Sequence, residues 1–91
     1  MSIFLITFMI SDGTRSQSMV TFIKEFGPWA RITNSVWCIK VDNKTTAEVR
    51  DVLNSKFPLQ TDERLFVVDI TNSSWGSYYL PKEVSEWLKN K

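Results

Sequence analysis

Apolar and polar positions along the 91-residue chain fall into short blocks with two different spacings. From Ile3 to Ile10 the sequence IFLITFMI is almost unbroken apolar, too short for a long helix and rich in Ile and Phe, as in a strand covered on both faces. After the polar turn SDGTRS, Met19, Phe22, Ile23 and Phe26 recur at i, i+3, i+4 and i+7, so a helix is expected to end at Phe26 before Gly27 and Pro28. Two strand-like runs follow, Trp29 to Ile32 and Val36 to Val41, with Thr33, Asn34 and Ser35 as turn formers between them. Alternation in the second run puts Trp37, Ile39 and Val41 on one face and Val36, Cys38 and Lys40 on the other. Thr45 followed three residues later by Glu48 is a capping box, and it opens a helix with Val49, Val52, Leu53 and Phe57 on one face. RLFVVDI, residues 64 to 70, supplies another short strand after the acidic turn TDE.

The order strand, helix, strand, strand, helix, strand predicts an α+β fold of the ferredoxin-like βαββαβ type, a four-stranded antiparallel sheet with both helices on one face. This core is expected to span residues 1–71. Residues 72–91 form a C-terminal extension with a short strand around Tyr78 to Leu80, then a helix with Val84, Trp87 and Leu88 on one face, packing on the core or on a dimer partner.

Composition narrows the chemistry more than the fold. Eleven Lys and Arg balance ten Asp and Glu, so any nucleic-acid binding must come from a local patch and not from net charge. Cys38 is the sole cysteine, which excludes an intrachain disulfide, agrees with a cytoplasmic setting, and reads as a small buried residue without a catalytic partner. The absence of histidine removes histidine-dependent triads, dyads and metal sites, leaving carboxylates, Lys, Tyr and Ser. The N-terminal apolar run has neither the flanks of a secretory signal nor the length of a membrane span, so no membrane association is expected.

The opening strand, its polar turn and helix, then WARITNSVWCIKVD and the closing RLFVVDIT together resemble the CRISPR-associated protein two superfamily. The likeness is closest to its stand-alone Cas-two-like, SinR-family members and covers roughly Ile3 to Thr71. The resemblance implies a homodimer in which the segment after the fourth strand adds to the partner's sheet. It also implies, for nuclease members, a metal-binding aspartate at the end of the first strand. In TFMIS the matching position is Met9, which sets the chain apart from the nucleases.

Asp12 and Asp69 remain the acidic candidates. Asp12, beside Gly13, reads as a turn former or as an acid favouring the N-terminus of the first helix, with a metal ligand as the alternative. Asp69, in an apolar strand, reads as a paired or open-face carboxylate, with a catalytic acid as the alternative. Arg15, Arg31 and Lys40, with Lys24, could form a basic surface beside Trp29 and Trp37, the pairing that grips phosphates and stacks bases. Trp75, Tyr78, Tyr79 and Trp87 are the expected docking residues of the tail, in cis or across a dimer. Three functions are therefore in play: a non-catalytic homodimeric module that is structural or associated with nucleic acid, a metal-dependent endonuclease of RNA or DNA, and a ligand-sensing or partner-binding regulatory domain. Only the endonuclease requires a cofactor, magnesium or manganese.

Overall fold

The computed structural model describes residues 2–89, so Met1 of the expected core and Asn90 and Lys91 of the expected extension lie outside the described residues. Its elements are β1 (Ser2–Met9), α1 (Gly13–Lys24), β2 (Trp29–Thr33), β3 (Val36–Val41), α2 (Thr46–Lys56), β4 (Arg64–Asp69) and α3 (Lys82–Lys89). The strands form one antiparallel sheet in the order β2-β3-β1-β4, with Leu5 of β1 opposite Cys38 of β3 and Val68 of β4. Between Arg31 and Thr33 the pairing of β2 with β3 slips, a bulge in the outer strand.

Period-two alternation divides the sheet into two faces. On one, Phe4, Ile6, Phe8, Trp37 and Ile39 pack with Met19 and Ile23 of α1 and Val49 and Leu53 of α2. Each such side chain, withdrawn from water, contributes about 1.5–3 kcal/mol, which makes this layer the main source of stability. On the other, Ile3 and Cys38 meet Leu88 of α3, with Leu5, Ile32, Ile70, Leu80, Val84 and Trp87 packed around them. The third helix thus makes a third layer, lying on its own chain's sheet.

Local chemistry sets the helix ends. Thr45 accepts a hydrogen bond from Glu48 N while the Glu48 carboxylate accepts one from Thr45 N, the reciprocal cap expected from the sequence. α1 ends two residues before Phe26, because Gly27 turns the chain at φ +149° to bring Pro28 alongside β3, where Lys40 N donates to Pro28 O at 3.0 Å. A Cβ on Gly27 would sit 3.0 Å from Lys40 O, so the close approach itself calls for glycine.

Two further expectations need correction. The short strand around Tyr78 to Leu80 does not form; Tyr79 takes a left-handed φ of +59°, which breaks the extended path, and both tyrosines project from a bend. Val52 does not join the core but stays 38% exposed, because α2 turns Val49 and Leu53 inward.

Candidate functional site

The end of β1 is where the resemblance expects a metal-binding aspartate and where this chain carries Met9. Met9, opposite Arg64, is 55% exposed on the face away from α1 and α2. Asp12 caps α1: its Oδ1 accepts from Thr14 N at 2.8 Å and Arg15 N at 3.2 Å, satisfying two of the free N–H groups at the helix start. Asp69 closes β4 in a local turn, where its Oδ1 accepts from the backbone N–H and hydroxyl of Thr71. Those hydrogen bonds hold the Asp69 carboxyl below its ordinary pKa.

Sheet register keeps the two aspartates apart. Asp69 pairs with Phe4 and Arg64 with Met9, so the two ends are roughly 17 Å apart at ~3.4 Å per residue, and Asp12 lies beyond the far end. One chain therefore does not bring Asp12 and Asp69 to one cation. Among the described residues, no group of three or more Cys, Asp and Glu side chains is placed to hold a metal ion.

The strongest electrostatic feature at this end is Glu63, which the sequence reading passed over as part of an acidic turn. Its side chain is 1% exposed and is held by Arg15 Nη1 at 2.8 Å, Ser11 N at 3.1 Å and Gln60 N at 2.9 Å. The Arg15 hydrogen bond, then the backbone donor from Gln60, draws its carboxyl down to about 2. Arg15 also donates to Pro58 O at 2.7 Å, so this side chain ties the start of α1 to the loop before β4. No local pattern marks the pair, because its members are 48 residues apart and meet only through the fold.

The proposed basic surface is split. Lys24 lies over the rings of Trp29 and Trp37, 4.6 and 5.4 Å from their centroids, and Arg31 lies 5.4 Å from that of Trp37 while donating to Asn34 Oδ1. Among the described residues no carboxylate is in salt-bridge range of Lys24 or Arg31. Trp37 is buried, its Nε1 without a hydrogen-bond partner, whereas Trp29 is 42% exposed. Lys40 belongs to the opposite face, where it covers the ring of Trp87 at 4.6 Å. Arg15 is occupied with Glu63, so the named cations do not form one patch.

The tail residues also separate. Trp87 packs on its own sheet and Trp75 lies over it, whereas Tyr78 and Tyr79 project into solvent. Beyond the tail the same sheet face stays open around Thr7, with Met9 and Phe66 exposed. Among the described residues the outer side of β4 pairs with no further strand, and no helix is long and apolar enough to cross a membrane. No family model matches the chain, and no curated protein matches it.

Proposed function

We propose that the protein is a ferredoxin-like, Cas-two-like module that works as a homodimer in a structural or nucleic-acid-associated role and not as a nuclease. The observation that carries this reading is the half-covered sheet face. Phe66 and Met9, 60% and 55% exposed, continue the apolar surface that the chain's own tail covers further along, and Tyr78 and Tyr79 of that tail are exposed as well. Large apolar and aromatic side chains clustered on one face mark a protein interface more often than a solvent-facing surface. The regular outer edge of β4 gives the same edge of a second copy a row of backbone donors and acceptors.

Several features support a role without catalysis. Met9 stands where the resemblance expects an aspartate, while Asp12 and Asp69 each commit an oxygen to neighbouring backbone N–H groups. Lys24 and Arg31 beside the exposed Trp29 provide the local cation and aromatic pairing through which nucleic acid would associate.

Sedimentation equilibrium tests the dimer. The chain is expected to be dimeric, and Phe66→Glu to be monomeric with an unchanged far-ultraviolet spectrum; a monomer at the highest soluble concentration overturns the reading. Nuclease assays with magnesium and manganese test the second half. Metal-dependent cleavage that disappears in Asp12→Ala but persists in a surface control would show that the enzyme alternative is correct.

A further inference from the structure

Under the tail, the sheet face holds a half-open cavity of about 210 Å³. Leu5, Ile32, Cys38 and Ile70 form its floor, and Trp75 and Leu80 stand over them. No charged side chain lines it. Protein interiors pack with few voids larger than a water molecule, and an apolar void of this kind gives water too few hydrogen-bond partners to be well held. The lining side chains forfeit dispersion contacts across the gap until something apolar fills it.

The geometry points to a binding site for a compact, uncharged aromatic molecule of one or two fused rings. A cavity of roughly 150 Å³ lined by aliphatic and aromatic side chains already accepts benzene, so this volume suits a ring system of indole size. The Trp75 indole offers a ring surface to stack against, and the Cys38 sulfur offers a polarisable contact for a ring. Burial pushes the Cys38 thiol up to about 11, so the floor stays uncharged at neutral pH. An ionic ligand finds no counter-charge in the lining and would lose its hydration without return.

Indole is a suitable probe for the full-length chain, followed by amide chemical shifts and by melting temperature. Saturable shifts are expected at Cys38, Ile70 and the tail from Trp75 to Leu80, together with a rise in melting temperature. Benzylammonium, similar in size but charged, is expected to produce neither. Cys38→Leu fills the floor and Leu80→Phe fills the roof; each is expected to weaken indole binding by about tenfold or more without lowering the chain's own melting temperature. If Cys38→Leu fails to fold, Leu80→Phe, in the irregular tail, still decides the question. Absence of saturable shifts, equal binding of indole and benzylammonium, or undiminished indole binding by a folded filled variant overturns the proposal. So would the same amides responding to protein concentration and not to indole, since the cavity would then be filled by a second copy.

Discussion

Truncating Leu88 to Ala tests whether α3 is an integral layer of the fold. The side chain is 6% exposed and lies against Ile3 and Cys38 at the centre of the second cluster. A fully buried leucine replaced by alanine typically costs ~2–5 kcal/mol, transfer and cavity contributions together. The low end applies because Leu88 borders the half-open cavity, where neighbouring side chains have room to relax into the gap. A loss of about 2 kcal/mol is expected, a sizeable part of the ~5–15 kcal/mol that holds a typical domain. In a chain of this length that lowers the melting temperature by roughly 8–16 °C. Urea unfolding gives the free energy directly, and repetition at several protein concentrations separates packing in cis from packing across a dimer. A loss below about 0.5 kcal/mol, the range of an ordinary surface substitution, would refute the placement of α3 on its own sheet.

Two further outcomes follow from other contacts. Because the Glu63 carboxyl is drawn from its ordinary 4.5 to about 2 in the folded chain, it contributes stability at neutral pH that fades as pH falls from about 5 towards 2. Melting temperatures across this range are expected to drop in the wild type and to flatten in Glu63→Gln; an equally steep acid limb in the variant would show that other carboxylates govern it. Gly27→Ala is expected to destabilise by at least ~1 kcal/mol, since the new Cβ meets Lys40 O at 3.0 Å in a backbone region hostile to L-residues. Chemical denaturation checks this, and an unchanged midpoint would mean that the turn relaxes freely.

Local signals were the legible part of the sequence. The Thr45 and Glu48 cap, the alternation from Val36 to Val41 and the apolar run of β1 each depend on neighbours within one or two turns, and each appears in the fold. Phe26 fitted the helical spacing yet falls beyond α1, because the approach of Pro28 to Lys40 is a long-range demand that periodicity does not encode. Tyr78, Tyr79 and Leu80 had strand composition without a strand beside them in their own chain, and propensity alone does not hold an isolated segment extended. Asp12 was legible as a turn former or an acid favouring the start of the first helix, and the fold makes that local role a cap through Thr14 N and Arg15 N. Glu63 was not, because beside its local donor Gln60 its environment is assembled from Ser11 and Arg15, which only the tertiary fold brings to it.

The bulge between Arg31 and Thr33 also bears on how far such a sheet can grow. Of the two outer strands, β2 has a broken register while β4 runs regularly along its whole length. A sheet open at both margins can recruit neighbours end on end without limit, the geometry of a fibre. One margin here is irregular and the other regular, so a second copy pairing at β4 would use up the regular margin, and growth would stop after a single addition.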